Sequence, residues 1–573
     1  MFLNIKTMKN QEIAKILYEI ADLLEIEGVE FKPRAYRKAA QNIESLSVDI
    51  EELYKKGQLE KIPGVGKSIA EKIKEYLETG KVKKLEELRK KIPVDIESLS
   101  AVEGLGPKMI KVLYEKLGVK NLDDLERVAK QRRIRRLKGF GEKIEKKILE
   151  GIEIARQRQH RFLLGFVLPE AKAIMEELKP YVEKISLAGS IRRRKETIGD
   201  VDILAVSSQP EKVMDIFTSM KRVEKVLAKG ITKSSVRLHG GIQVDLRIVG
   251  KESFGSALQY FTGSKEHNIE VRKIAIKLGY KLNEYGLFKG FERIAGRDEE
   301  EVYKALGMQW IPPELRENRG EVEAALNKSL PKIVEYDEVK GDLQMHTKWS
   351  DGANTIEEMI IEAKKLGHKF IAITDHVGSL KIAGGMDEEK VMEQAKEIEK
   401  LRERFDDIYI FHGIEANIMK DGSLDVSNSL LKQVDVVLAS VHSAFRMEEK
   451  EMTARVIKAI ENEYVDILAH PTCRIIQKRE PIKIDMEKVL EVAKDNDVIM
   501  EINAYPDRLD LNDIHTKMAI DMGVKVSIGT DAHNKEHLKF YELGTAVARR
   551  GWAKKEDVIN TYSVEKLMKL FEK

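Results

Sequence analysis

Three aspartates carry the most specific chemistry in this sequence. Asp200 and Asp202 end the run Gly189-Ser190-Ile191-Arg192-Arg193-Arg194-Lys195-Glu196-Thr197-Ile198-Gly199-Asp200-Val201-Asp202. Side chains alternate along a strand, so both carboxylates face one side. Asp245 lies in a later apolar run, Ile242–Val249, and is expected to meet them from a neighbouring strand. Three clustered carboxylates repel one another unless cations neutralise them. Hard oxygen ligands favour Mg²⁺ or Mn²⁺, and two such ions can clamp an attacking oxygen and a leaving pyrophosphate. Gly189 and Ser190 would bring a backbone N–H and a hydroxyl to a triphosphate, with Arg193 adding charge. A bare D-x-D strand could equally be a pair of solvent-facing aspartates. The Gly-Ser pair, the arginine run, Gly199 and the third acid weigh against that.

A second constellation lies beyond residue 341. It comprises Gln344-Met345-His346, Asp351, Asp375-His376, Glu415, His442, His470 and Asp531-Ala532-His533. Nearly every one follows or ends a continuous apolar run: Phe370–Thr374, Ile408–Phe411, Val434–Ser440, Val465–Ala469, Val498–Ile502 and Val524–Ile528. Such runs read as buried parallel strands, and repeated βα units predict an α/β barrel whose strand ends converge on one face. A lone histidine is more often packed or capping than ligating. This density of His, Asp and Glu suits two or three Zn²⁺ or Mn²⁺ ions able to activate water against a phosphodiester.

Residues 1–160 read as helix after helix, broken by three similar turns. These are Pro63-Gly64-Val65-Gly66, Glu103-Gly104-Leu105-Gly106 and Lys138-Gly139-Phe140-Gly141. Each precedes an amphipathic helix. Tight glycine turns expose N–H groups that attract phosphate, and such contacts position a protein on DNA without reading sequence. One turn of this kind would suggest a plain hairpin; three on a basic domain suggest DNA.

The charge distribution agrees. Residues 1–160 hold 35 Lys+Arg against 27 Asp+Glu, residues 161–340 hold 31 against 27, and residues 341–573 hold 34 against 43. The net +3 thus hides a basic front, suited to a polyanion, and an acidic back. Of 573 residues 42% are apolar, which excludes a disordered tail protein, and Cys473 alone excludes a disulfide framework. No secretory leader or membrane span is recognisable, so a soluble, cytoplasmic protein is expected.

The glycine turns resemble helix–hairpin–helix motifs, and the whole of residues 1 to about 317 resembles the family X (DNA polymerase beta-like) DNA polymerases. Lys61–Leu77, with Tyr36 upstream, is similar to that family's small N-terminal domain. The resemblance implies that Lys72 is a Schiff-base nucleophile for 5′-deoxyribose-phosphate lysis, with Ser68 standing where the family often has a lysine. It also implies a Na⁺ or K⁺ ion held by turn carbonyls of Glu60, Ile62, Val65, Ser100, Val102 and Leu105. The Asp200–Asp202–Asp245 segment resembles the family's nucleotidyltransferase palm, although Gln243 replaces an arginine. Tyr260-Phe261-Thr262-Gly263-Ser264, Asn268 and Arg272 resemble its nucleotide-selecting segment. There the aromatic pair and Gly263 would line the sugar, Asn268 the base edge, and Arg272 the template side.

Residues 341–573 resemble the PHP phosphoesterases. That likeness implies metal ligands at His346, Asp351, His376, Glu415, His442, His470, Asp531 and His533, with Gln344 in place of the first histidine of an HxH pair. The expected fold is therefore multidomain α and α/β. Residues 1–85 and 86–160 form helical hairpin domains, 161–250 the palm, 251–317 the nucleotide-selecting subdomain, 318–340 a linker, and 341–573 a distorted PHP barrel. The expected activity is short-gap repair synthesis on DNA from dNTPs, by a monomer in a prokaryotic nucleoid. A 3′-5′ exonuclease and AP endonuclease would reside in the barrel. The rivals are a template-independent nucleotidyltransferase and a DNA-binding scaffold with a structural barrel.

Overall fold

The apolar stripe Ile13, Leu17, Ile20 and Leu24 is buried along the first helix, Lys6–Glu27. The computed structural model describes residues 6–44, 50–62, 64–100, 102, 105–137, 139–158, 161–378 and 384–572. They divide into two units, Met1–Arg161 and Phe162–Lys573.

The described part of the first unit is helical throughout. Gly80 and Gly118 end two helices at a left-handed φ of +70°, a conformation that costs other residues energy. Between the helices the three glycine turns share one register. Val65, Leu105 and Phe140 N–H donate to the carbonyls of Ile62, Val102 and Leu137 at 2.9, 3.0 and 3.0 Å. Gly66, Gly106 and Gly141 carbonyls then each accept the first bonds of the following helix.

After Phe162–Leu163, which pairs antiparallel with Thr197–Ile198, the second unit builds a sheet that, among the described residues, has five strands: β1 (Lys184–Leu187), β2 (Asp200–Val206), β3 (Val223–Lys229), β4 (Lys233–Leu238) and β5 (Gln243–Ile248). Their order is β1-β2-β5-β4-β3, and β2 and β5 run parallel. Helices Phe254–Thr262 and Lys265–Lys277 and a small sheet of β6 (Lys281–Asn283), β7 (Gly286–Lys289) and β8 (Glu292–Ala295) follow.

The stretch expected to be a linker is ordered and packed. Val322, Ala325 and Ile333 join the core of the 271–315 region, and Val334 N–H donates to Ala553 O at 2.9 Å. These four residues are too scattered to show a period, so the segment reads as polar in sequence.

The barrel region then gives, among the described residues, seven parallel strands in chain order: β9 (Gly341–Asp342), β10 (Phe370–Ile373), β11 (Tyr409–Asn417), β12 (Val436–Ser440), β13 (Ile467–Leu468), β14 (Ile499–Asn503) and β15 (Val526–Gly529). Six grow from the apolar runs; β9 is two residues long and has no such signature. The sheet nearly closes on itself. Asp531 N–H donates to Gln344 O at 3.0 Å and His346 N–H to Ala532 O at 2.8 Å. No described helix is long and apolar enough to cross a membrane.

A buried ion cluster ties the palm to the nucleotide-selecting region. Glu299 accepts from Arg316 at 2.6 Å, from Arg192 at 2.8 Å and from Trp310 at 2.9 Å, and Arg316 is 0% exposed. Burial alone would raise the Glu299 pKa; the two guanidinium groups outweigh it and hold the carboxylate ionised. Arg316→Ala should therefore destabilise the protein by about 3–5 kcal/mol, because a buried charge loses its main partner. Pairing Arg316→Met with Glu299→Gln should recover most of that loss. Urea unfolding measures both; a single-variant loss under about 1 kcal/mol would place the pair in the surface class.

Candidate functional site

Parallel pairing of β2 with β5 sets Asp202 directly opposite Asp245 and Asp200 opposite Gln243. Burial, followed by the charges of Asp200 and Asp245, pushes the Asp202 carboxyl up to about 6. Asp245 behaves oppositely. Burial would raise its pKa, but hydrogen bonds from Lys233 Nζ at 2.8 Å, Gln243 Nε2 at 2.9 Å and Ser235 hold it low. The Gly-Ser segment packs on this cluster. A Cβ at Gly189 would lie 2.8 Å from Asp202 Oδ2, and Gly189 has φ +61°. Ser190 follows it in the helical turn Gly189–Arg192, and Gly199 leads into β2. Like charges this close, with one carboxyl driven toward protonation, suit divalent cations.

Arg193 points elsewhere. Its Nη1 donates to Thr262 O at 2.5 Å and its Nε to Glu317 at 3.1 Å. It thereby touches the nucleotide-selecting turn, where a Cβ on Gly263 would lie 3.1 Å from Arg193 Nη1. Tyr260 and Phe261 pack edge-to-face at 5.1 Å, and the Arg247 guanidinium covers Phe261 at 4.6 Å. Asn268 is turned inward: it donates to Tyr260 O at 2.7 Å and accepts from Gln259 at 2.8 Å. Arg272 Nε donates to Asn268 O at 3.1 Å.

In the helical unit, Gly64 and Gly139 take φ of +81° and +89°, and Gly66 and Gly106 cap the helices that follow. Gly141 stands before the helix Glu142–Arg158, and Gly104 lies outside the described residues. Lys72 Nζ donates to Ser68 O at 2.9 Å and Ser68 Oγ at 3.0 Å, and lies 5.9 Å from the ring centre of Tyr36. Of the residues expected at a monovalent cation, Ile62, Val65, Val102 and Leu105 bury their side chains, whereas Glu60 and Ser100 are exposed. The carbonyls of Ile62 and Val102 each accept a turn N–H.

In the barrel the expected ligands do converge. His346, Asp351, His376 and His533 form one group able to hold a metal, and His376, Glu415 and His442 a second. Glu415 is the hub: His470 Nε2, His442 Nε2, His346 Nε2 and His376 Nδ1 lie 3.1, 3.3, 3.3 and 3.4 Å from its oxygens. Asp531 Oδ1 is 3.2 Å from His346 Nε2, and Asp351 Oδ1 3.3 Å from His533 Nε2. Yet His346 Nδ1 and Nε2, His376 Nδ1, His470 Nδ1 and Glu415 Oε2 have no hydrogen-bond partner. Close donors that face one another without bonding suit a shared cation better than one another. Burial pushes His376 down to about 3, leaving a neutral ring fit to ligate.

Glu501, Asn503 and Arg508 had not stood out in the sequence. Glu501 is buried beside this cluster, accepts His470 N–H at 2.7 Å, and is pushed well up by burial and then by Asp531. A lone carboxylate inside the apolar run 498–502 was the available signal. Asn503 and Arg508 approach Asp531 Oδ2 at 3.1 and 3.4 Å. Gln344 is fully buried with Nε2 unpaired. Asp375 is occupied by hydrogen bonds from the chain. It accepts from Thr347 N, Thr347 Oγ1, Ser350 Oγ and Gln394 within 2.6–2.7 Å, and so shapes the loop that carries Asp351. Lys233, on Asp245, also lacked a local signal.

Comparison with known proteins agrees with this geometry. Residues 8–82 match a helix-hairpin-helix domain, 96–153 a SAM-like helix-hairpin-helix tandem, 257–317 the DNA polymerase beta thumb and 342–505 the PHP domain. A DNA polymerase/3′-5′ exonuclease PolX of Bacillus subtilis (strain 168) is 38% identical over 565 residues, covering 97% of this chain and 98% of that protein. DNA polymerase lambda of Arabidopsis thaliana is 26% identical, over 54% of this chain and 62% of its own length. That of Rattus norvegicus is 26% identical over 54% and 57%. The likeness to the first runs through all these regions in order, and the chain belongs to the family X DNA polymerases that carry a C-terminal PHP domain.

Proposed function

We propose that the chain extends a primer 3′-hydroxyl at short gaps in DNA, and that its barrel removes nucleotides from 3′ ends. The observation that carries the first half is Asp202 set across from Asp245, with Asp200 beside it and Gly189 packed on the Asp202 carboxylate. These acids would hold two Mg²⁺ or Mn²⁺ ions, which neutralise charge on the attacking oxygen and the leaving pyrophosphate. Lys233 and Gln243 orient Asp245. Gly189, Ser190 and Gly199 admit the triphosphate, and Tyr260, Phe261 and Gly263 line the sugar. Arg193 acts through the Thr262 carbonyl, and Asn268 and Arg272 brace the same segment. The helical turns, with Tyr36, grip DNA phosphates, and turn carbonyls there would take Na⁺ or K⁺.

In the barrel, His346, Asp351, His376, Glu415, His442, His470, Asp531 and His533 would hold Zn²⁺ or Mn²⁺, supplying Lewis acidity toward a phosphodiester. Cleavage at abasic sites goes with this site. Lysis of a 5′-deoxyribose phosphate goes with Lys72.

A 5′-labelled primer in a gapped duplex, with Mg²⁺ or Mn²⁺, tests both halves on one gel. With dNTPs the wild type should lengthen the primer and Asp200→Ala should not. Without dNTPs it should shorten the primer and His346→Ala should not. Growth on unpaired ends alone would favour template-independent transfer, and no shortening would leave the barrel structural. Borohydride should trap wild type on nicked abasic DNA and fail with Lys72→Ala; equal trapping would remove the lyase assignment.

The Asp202 pKa gives a further outcome. A carboxyl raised from 3.8 to about 6 adds stability that is full below 3.8 and lost as pH rises through about 6. In EDTA at pH 7.5, Asp202→Asn should exceed wild type by about 2–3 kcal/mol in urea unfolding. Mg²⁺ should close that gap. Parallel stability–pH curves for the two proteins would contradict the assignment.

A further inference from the structure

The segment proposed to receive the triphosphate, residues 189–196, is held from outside by the barrel region. Arg550 ends the helix Tyr541–Arg550 and is 4% exposed. Its Nη1 donates to the Arg193 carbonyl at 2.6 Å and to Glu317 Oε1 at 3.0 Å, and its Nη2 to Asp513 Oδ2 at 2.6 Å. Glu317 in turn accepts from Arg193 Nε at 3.1 Å. Arg550 therefore fixes Arg193 twice, through its backbone and through its side chain. Arg193 then holds the Thr262 carbonyl, next to Gly263 and one residue beyond the Tyr260–Phe261 pair.

Two further ties reach the same segment. Arg474 Nη2 donates to Glu196 Oε2 at 2.7 Å, while its own Nε is held by Arg508 O at 2.8 Å. Glu542 faces Arg194 Nη2 at 3.5 Å and Lys172 at 2.7 Å. Three barrel-region residues thus meet Arg193, Arg194 and Glu196. A planar guanidinium with several fixed acceptors sets position as well as charge. Small displacements of groups that align substrates are costly to binding and rate.

We propose that Arg550 of the barrel region is a positioning residue for nucleotide binding at the palm, acting through Arg193 on the Thr262–Gly263 turn. This rests on the polymerase reading above. Its consequence is that the barrel region serves the polymerase site even when its own metal site is idle. Nothing in Arg550's contacts reaches the barrel's histidine cluster, so the two effects are separable.

The test uses the full chain, with single-turnover extension of a gapped duplex across dNTP concentrations. Arg550→Ala should raise the apparent dNTP Kd about tenfold. DNA affinity, and 3′ shortening without dNTPs, should stay within twofold of wild type. Arg550→Lys should recover part of the loss, since it keeps charge without the fork. The double variant Glu196→Gln/Glu542→Gln cuts only the half-exposed ties and should raise the Kd about threefold. An unchanged dNTP Kd in Arg550→Ala, with only a lower Tm, would overturn the proposal and leave Arg550 structural. Should Arg550→Ala fail to fold, Arg550→Lys decides: a dNTP Kd equal to wild type would overturn the proposal, since lysine keeps the charge but cannot hold Arg193 O, Glu317 and Asp513 together. A wild type that extends no primer would instead sink the polymerase reading, and this proposal with it.

Discussion

Crowded carboxylates are the constraint around which the second unit is built. Neighbouring strands lie about 4.8 Å apart, so acids paired across them cannot escape each other's field. In the palm this confronts Asp202 with Asp245; in the barrel it gathers Glu415, Glu501 and Asp531 among histidines. The same two devices recur in both places. A resident cation sits on one acid, Lys233 on Asp245 and Arg508 on Asp531. A glycine gives another acid room: a Cβ would come within 2.8 Å of Asp202 Oδ2 at Gly189, and within 2.2 Å of Glu501 Oε1 at Gly529. Each site is thus partly compensated by the chain itself, and the charge left over suits cations.

Charge placement also joins the parts. Glu299 with Arg192 and Arg316 locks the palm to the nucleotide-selecting region, and Glu314 with Arg549 locks that region to the barrel. These pairs are buried, so they specify one arrangement more than they add stability. Two of the barrel region's acids, Asp513 and Glu542, likewise spend charge across this contact, on Arg319 and Lys172. An acidic back half in the sequence is therefore partly an internal interface.

The candidate site residues that cluster in space were the legible part of the sequence. A D-x-D strand, histidines after apolar runs and a threefold glycine turn each follow from local spacing, and the architecture follows from the same periods. What stayed hidden depends on distant partners. Lys233 meets Asp245 only because β4 folds back on β5. Arg193 reads as a triphosphate ligand until Thr262 and Glu317, far along the chain, claim its guanidinium. Glu501 hides because one acid in an apolar run leaves the run's period intact. The 318–340 stretch looks like a tether because its few buried residues follow no repeat.

The seam of the barrel has a consequence for how its chemistry can change. Closure passes through the backbones of Gln344, His346, Asp531 and Ala532. The bonds at these four positions are made by peptide groups, and the Asp342 carboxylate reinforces the same seam by accepting from Thr530 N at 3.0 Å and Gln344 N at 3.1 Å. At residue 344 the seam bond uses the backbone carbonyl, not the glutamine side chain. Glutamine there re-equips one corner of the pocket while leaving the wall intact. At this corner the closure of the strands and the identity of the side chain turned into the pocket are thus set by different atoms of one residue.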